Sequence, residues 1–106
     1  MLNMQNNEID FLSEKIFEKL SNLKRVILDF NKLSVIPPKL FQNNLKLEDI
    51  YLKGNKIQII VSTMFDHLSL LDYVDFNLNV CVNTSYYGDK FTIMKNDLMQ
   101  KCQLPV

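Results

Sequence analysis

Short runs in which every second residue is apolar recur along the chain. In the segment from Arg25 to Asp29, Val26 and Leu28 alternate with Arg25, Ile27 and Asp29. A period of two predicts a β-strand that turns Val26 and Leu28 inward and the other three residues outward. Equivalent inward pairs follow further along the chain: Ile50 with Leu52, and Val74 with Phe76. The pattern therefore predicts a series of short, similar strands.

The predicted strands belong to a repeat of 24 residues. An asparagine follows each strand, and apolar columns keep the same interval. These columns are Asn7, Asn31, Asn55 and Asn79; Ile9, Leu33, Ile57 and Cys81; Phe17, Phe41 and Phe65; and Leu23, Leu47 and Leu71. A fixed period of about 20 to 50 residues predicts a solenoid, in which each unit buries its hydrophobic face against the next unit.

The unit that begins at Leu23 reads Leu-Lys-Arg-Val-Ile-Leu-Asp-Phe-Asn-Lys-Leu, which fits the pattern L-x-x-L-x-L-x-x-N-x-L. The chain therefore resembles the leucine-rich-repeat family from Leu2 to about Tyr86. The resemblance implies an α/β fold: a short horseshoe-shaped solenoid with a parallel, concave β-sheet and an irregular or short helical convex side. We expect one domain, residues 1–106, with repeats at about 1–22, 23–46, 47–70 and 71–84 and a carboxy-terminal cap at 81–106.

Each column has a predicted place in this solenoid. The asparagines follow the strands, where their side chains can satisfy backbone groups of the turn. The phenylalanines should stack behind the sheet, beside Ile16, Leu40 and Met64, while Leu12, Ile36 and Ile60 fill the space between the two halves. Asn44 occupies the position held by Leu20 and Leu68 in the neighbouring units, and we expect the adjacent Leu45 to replace the lost core contact.

The charge balance and the motifs of the chain argue against several classes of function. The 12 basic and 12 acidic side chains cancel, so no net field attracts nucleic acid or an anionic membrane. No apolar run reaches the roughly 18 residues of a membrane span. His67 follows the convex segment in a predicted exposed loop, and Asp72 and Asp75 should face opposite sides of a strand. We therefore expect no catalytic residue, metal or cofactor, and a protein as the partner.

The outward positions of adjacent strands form three predicted rows across the concave sheet. These rows are Arg25, Asp49 and Tyr73; Ile27, Tyr51 and Asp75; and Asp29, Lys53 and Asn77. Arg25 should pair with Asp49, and Asp29 with Lys53. One interpretation is that such ion pairs only satisfy an exposed sheet. An apolar patch of Ile27, Tyr51 and Tyr73 rimmed by charge has the composition of a binding hot spot, with passive packing of the sheet as the alternative. We expect these rows to contact the partner.

The carboxy-terminal end carries the two cysteines of the chain. Cys102 follows a predicted helix that contains Ile93, Met94, Leu98 and Met99. A segment folded over the last coil and tied to it by a Cys81–Cys102 disulfide would cover the exposed end of the core, as the resemblance implies for a cap. The alternative is two buried free thiols in a cytosolic protein.

Asn83-Thr84-Ser85 forms an N-x-S/T acceptor for N-glycosylation,. This triplet, the cysteine pair and the repeat length together make the chain similar to extracellular leucine-rich-repeat proteins. The resemblance implies a role in an immune, adhesion or receptor-like system. We expect a secreted protein and regard an intracellular adaptor in the cytoplasm as the alternative; a small enzyme and a truncated relic are further hypotheses.

The amino-terminal end lacks a predicted signal peptide and cap, so the sequence reads as the terminal part of a longer protein. The first predicted coil would expose Ile9, Phe11 and Leu12. Exposed apolar groups at a sheet edge favour association with another chain. The sequence therefore predicts self-association through this end.

Overall fold

The computed structural model describes residues 1–103. The last three residues of the predicted cap, 104–106, lie outside the described residues. Five strands form one sheet in chain order: β1 (Leu2–Asn3), β2 (Arg25–Ile27), β3 (Asp49–Tyr51), β4 (Tyr73–Asp75) and β5 (Ser85–Tyr87). The first four strands run parallel, and β5 pairs antiparallel with β4.

The strands pair in the register that the repeat predicts. Val26 lies beside Ile50, and Ile50 lies beside Val74. All three side chains are fully buried. Leu2 lies beside Val26 in the same way, so the repeat extends to the start of the chain. The predicted α/β solenoid with a parallel sheet is confirmed.

The phenylalanine column forms a stacked spine behind the sheet. The ring centroids of Phe17 and Phe41 are 6.0 Å apart, and those of Phe41 and Phe65 are 6.3 Å apart. Phe76 and Tyr86 continue the contacts edge to face at the last coil. Aromatic rings at these separations pack favourably in both geometries. The spine therefore holds consecutive convex segments in the same register as the strands.

Tight turns rather than helices build the convex side of the described repeats. The N–H groups of Leu20, Leu40 and Leu68 each bond the carbonyl three residues earlier, at 3.0 to 3.1 Å. This hydrogen-bond spacing is that of a 3-10 turn, which suits short connectors. Pro37 and Pro38 start one of these segments, where a missing N–H donor is tolerated,.

Two side chains that were predicted to be in the core, Ile16 and Leu45, are exposed in the structure. Ile16 is 44% exposed because the first coil has a neighbouring coil on one side only. Leu12 is buried in the core, as its column predicts, so the predicted exposure of Leu12 at the first coil is wrong. Leu45 is exposed and does not replace the contact at Asn44. Asn44 is itself fully buried, and its Nδ2 donates to two carbonyl oxygens of the preceding coil, at 2.9 and 3.1 Å.

The asparagine column joins consecutive coils, as the buried Asn55 illustrates. Its Nδ2 donates to Leu52 O in its own coil at 3.1 Å and to Leu28 O in the preceding coil at 3.0 Å. Its Oδ1 accepts from Leu33 N in the preceding coil at 3.1 Å. Asn31 and Asn79 repeat this arrangement, each with bonds to its own and the preceding coil. One amide therefore satisfies backbone groups of two coils.

A cap closes the last coil. Helix α1 (Phe91–Lys101) packs Met94 and Leu98 against the core, and a disulfide joins Cys102 to Cys81. Cys102 O also accepts a hydrogen bond from Ile60 N at 3.0 Å. The two cysteines are 21 positions apart in the sequence. Closing a loop of this length stabilises the fold by about 3 kcal/mol in the chain-entropy model. The disulfide-tied cap is thereby confirmed, with both cysteines in the bridge.

Replacing Asn55 by Ala should lower the free energy of unfolding by about 2–4 kcal/mol, because buried backbone groups of two coils lose their partner. Asn7→Ala is the matched control: Asn7 is exposed and its amide bonds only carbonyls of its own coil. The control should cost less than about 1 kcal/mol. Urea denaturation measures both, and equal losses in the two variants would contradict the role of the buried amide.

Candidate functional site

The outward side chains of the strands line the concave face in the predicted order. Arg25 lies beside Asp49, which lies beside Tyr73. The next row, Ile27, Tyr51 and Asp75, is in register as well. The third row, Asp29, Lys53 and Asn77, follows the strands along the same coils. The structure therefore brings the nine predicted residues together on one face.

Two tyrosines and one ion pair form the centre of this face. The rings of Tyr51 and Tyr73 have centroids 5.4 Å apart and planes inclined by 51°. The guanidinium carbon of Arg25 lies 6.0 Å from the centroid of Tyr51. Nε and Nη2 of Arg25 both donate to Oδ2 of Asp49 at 3.2 Å. The guanidinium is thus held beside an aromatic ring by a carboxylate, which fixes its position on an exposed surface.

Asp29 and Asp75 are less available than the sequence implies. Oδ1 of Asp29 accepts from the backbone N–H of Lys53 at 2.9 Å, so this bond replaces the predicted ion pair with the ammonium group. Burial raises the pKa of the Asp29 carboxyl, and the charge of Asp75 adds to the rise. Asp75 is only 8% exposed, and its Oδ1 accepts two bonds from Asn77. Asp75 therefore presents little surface to a partner.

The cap adds a residue to this face that sequence reasoning missed. Tyr87 of β5 lies beside Tyr73, is 54% exposed, and has the ammonium group of Lys90 5.3 Å from its ring centroid. Burial raises the pKa of the Tyr73 hydroxyl at this junction. Tyr87 lies outside the 24-residue repeat, so the only sequence signal for it was its alternation with the buried Tyr86.

Sequence analysis also missed a row of residues that lies just after the carboxyl ends of the strands. Asn6, Phe30, Gly54 and Leu78 are 24 residues apart and all have positive φ, at 59°, 58°, 71° and 59°. The N–H groups of the first three residues each bond a carbonyl of the next coil, at 2.8 to 2.9 Å. Phe30 is 45% exposed and Leu78 is 56% exposed. The signal was a column in which Asn and Gly, which adopt positive φ readily, share the position with large apolar residues.

The other predicted residues lie away from the concave face. Nε2 of His67 is 2.9 Å from the carbonyl oxygen of Phe41 on the convex side. A carbonyl only accepts, so Nε2 carries the proton and donates. Asn83 is exposed in the loop before β5, and its Oδ1 accepts from Leu78 N at 2.7 Å.

One cavity lies between the convex side of the last full repeat and α1. Its volume is about 360 Å³, and Phe65, Leu68, Phe91 and Met94 contribute apolar walls. The ion pair between Lys95 and Asp66, at 2.9 Å, stands at its edge. Among residues 1–103, no three His, Cys, Asp or Glu side chains are grouped so that they could hold a metal ion. No helix in the same range is long and apolar enough to cross a membrane.

Comparison with known proteins assigns the family. The model of the leucine rich repeat matches residues 21–79, and the chain belongs to this family. The crystal structure of the leucine-rich repeat domain of APL1B is similar, with 29% identity and a TM-score of 0.69 over 72% of this chain and 23% of that chain. A chain in the structure of the Drosophila Toll–Spätzle complex, in its glycosylated form, is also similar.

The Toll–Spätzle chain has 25% identity and a TM-score of 0.68, over 74% of this chain and 11% of that chain. No curated protein matches the sequence. This chain therefore spans 23% and 11% of the two chains that it resembles, and the likeness concerns a few repeats of longer proteins.

Proposed function

We propose that this chain is a non-catalytic protein-binding module that uses its concave face. The observation that carries the proposal is the tyrosine pair, Tyr51 and Tyr73, beside the Arg25–Asp49 ion pair. Aromatic and arginine side chains are enriched among the residues that dominate protein interfaces. Both tyrosines are partly exposed, although the fold does not need aromatic rings at outward positions.

Recognition rather than catalysis is the expected activity for a second reason. The aspartates and the arginine of the face are either bonded to the protein itself, as in Asp29 and Asp75, or paired with each other, as in Arg25 and Asp49. The only histidine, His67, uses Nε2 to hold a backbone carbonyl. A general base needs a free acceptor within reach of the substrate proton. The face is therefore better suited to complementary contacts than to proton transfer.

Changing Tyr51 and Tyr73 together to Ser should weaken partner binding at least tenfold, since loss of a hot-spot pair costs about 2 kcal/mol or more. Both rings lie on the surface, so the urea midpoint should change little. The measurement is quantitative mass spectrometry of proteins captured on each variant from the native fluid or cell extract. The control is Leu45→Ser with Leu70→Ser, two exposed residues of the convex side. Equal capture by both double variants would remove the concave face from consideration.

We further propose that the module is extracellular. The disulfide supports an oxidising compartment, because thiols stay reduced in the cytosol,. Asn83 supports it independently: its side chain is exposed, and its Oδ1 is fixed by Leu78 N, so the Nδ2 atom that would carry a glycan is left free of this bond. An intracellular adaptor would need neither feature.

Mass spectrometry of the protein secreted from eukaryotic cells should reveal a glycan on Asn83 that a peptide N-glycosidase removes. Asn83→Gln should abolish this mass difference, and Asn96→Gln, at an exposed asparagine outside any N-x-S/T triplet, should leave it in place. Thiol counting on the denatured, non-reduced protein should find no reactive thiol. Two reactive thiols and an unmodified Asn83 would favour the intracellular alternative.

We also propose self-association through the free edge of β1. Met1 and Phe11 are 78% and 76% exposed at this end. Asn7 has the position that joins two coils elsewhere in the repeat. In Asn31, Asn55 and Asn79, Oδ1 accepts a hydrogen bond from the preceding coil. The Nδ2 of Asn7 bonds its own coil in the same way as the other asparagines, so its Oδ1 is placed to accept from a further coil. An edge with free backbone groups and apolar neighbours is a template for pairing. A second copy of this chain, paired along β1, is the proposed partner at this edge.

Phe11→Lys should lower the average mass of the chain in solution, because it places a charge in the proposed contact without removing a buried group. Light scattering across a concentration series provides the measurement. Val35→Lys is the matched control, since Val35 is the equivalent residue of the second coil and is 47% exposed. A monomer for the unmodified chain at every concentration, or equal effects of both variants, would contradict self-association.

A further inference from the structure

A narrow apolar strip runs along the rim of the concave face. We call Phe30, Gly54 and Leu78 the rim ledge; these residues follow β2, β3 and β4 at the same position of each coil. Phe30 N bonds Lys53 O, and Gly54 N bonds Asn77 O, so the three residues are adjacent from coil to coil. The ring of Phe30 lies over Gly54, where a Cβ atom would overlap it. The ring of Phe30 therefore extends over Gly54 in the direction of the coil that carries Leu78.

The backbone of the rim ledge is unfavourable for two of its side chains. Phe30 and Leu78 have φ of 58° and 59°, a conformation that L-residues with large side chains rarely adopt,. Asn6 and Gly54 hold the same position in the other coils and adopt it more easily. The fold therefore accepts a small or polar residue here, whereas Phe30 and Leu78 leave 45% and 56% of their surface in solvent. Strain that the fold does not require is found most often at functional sites.

Lysine ammonium groups flank the rim ledge, and carboxylates lie near some of them. Lys53 and Lys56 stand one residue before and two residues after Gly54, and the described residues contain no ion pair for either ammonium group. Lys32 is 3.8 Å from Glu8 with both side chains largely in solvent, a weak contact,. Asp29 bonds the Lys53 backbone, and its charge also acts on the Lys53 ammonium group at longer range. Lys56 is therefore the cation that neighbouring carboxylates balance least, and a ligand carboxylate would meet it beside the apolar strip.

We propose that the rim ledge binds a protein segment in which an apolar side chain stands next to a carboxylate. The apolar side chain would contact Phe30 and Leu78, and the carboxylate would meet Lys53 or Lys56. Adjacent coils are about 4.8 Å apart, so the ledge has the width of one or two side chains and suits a peptide better than a bilayer surface. This site is separate from the tyrosine pair and does not rest on its role.

The first experiment titrates three capped peptides into isotope-labelled protein and follows backbone amide shifts by NMR. Acetyl-Glu-Leu-Glu-amide should shift the amides of Phe30, Gly54, Lys56 and Leu78. Acetyl-Lys-Leu-Lys-amide tests the charge, and acetyl-Glu-Ser-Glu-amide tests the apolar anchor; both should produce weaker shifts. Equal responses to the three peptides, shifts centred elsewhere, or no shift up to the solubility limit of the first peptide would overturn the proposal.

The second experiment separates binding from folding. Phe30→Asn and Leu78→Asn should weaken binding of acetyl-Glu-Leu-Glu-amide severalfold, yet leave the urea midpoint unchanged or raise it, since Asn tolerates positive φ. Leu45→Asn and Leu70→Asn remove exposed apolar residues of the convex side and should leave peptide binding unchanged. A lower midpoint with unchanged peptide binding would assign Phe30 and Leu78 a structural role only and overturn the proposal.

Two further results distinguish neighbouring explanations. Sedimentation with anionic and zwitterionic phospholipid vesicles should leave the protein in the supernatant; binding to vesicles that is lost in Phe30→Asn would replace the peptide by a membrane surface and overturn the proposal. The Tyr51→Ser, Tyr73→Ser variant should bind acetyl-Glu-Leu-Glu-amide normally. The Phe30→Asn and Leu78→Asn variants therefore test peptide binding at the rim ledge, and the tyrosine double variant separately tests partner binding at the concave face.

Discussion

The buried asparagine amide is the interaction on which this solenoid depends. Backbone groups that leave the sheet cannot be paired by the neighbouring strand, and the interior offers them no water. Asn31, Asn55 and Asn79 meet this demand with one amide that bonds both its own and the preceding coil. Because each bond has the same geometry, each coil is fixed at the same offset from the one before. The strands, the phenylalanine spine and the outward rows all follow from this offset.

Where the repeat ends, a different set of contacts replaces the missing next coil. β5 runs antiparallel to β4, α1 covers the core with Met94 and Leu98, and the disulfide attaches Cys102 to Cys81. Tyr86 closes the aromatic spine, and its hydroxyl donates to Asp97 Oδ2 at 2.6 Å. Burial and the neighbouring carboxylate raise the pKa of this hydroxyl, so it stays protonated and keeps donating. The cap therefore replaces both the hydrophobic and the polar contacts of a coil.

Folding and the proposed recognition depend on different residues in this architecture. The columns that stack the coils are buried, as Val26, Ile50 and Val74 illustrate, so the outward positions between them are free to vary. The concave face uses that freedom for a tyrosine pair beside an ion pair. The rim ledge uses it for large apolar residues in a conformation that suits Asn or Gly better. Leucine-rich repeats can thus keep one scaffold while their binding surfaces differ.

The sequence by itself determined the features that repeat. The period of 24 placed Val26 beside Ile50 and Asn31 one coil before Asn55, because each coil contacts only its neighbours and local spacing is enough to set the register,. It also left Cys81 and Cys102 as a candidate disulfide, with free thiols as the alternative. Only the tertiary structure decided what happens where the repeat is broken. The antiparallel pairing of β5 brought Tyr87 to the face and buried Asp75, and the position of Asn44 was set by carbonyls of another coil. These outcomes depend on partners that are distant in sequence and follow no period, so no pattern along the chain could reveal them.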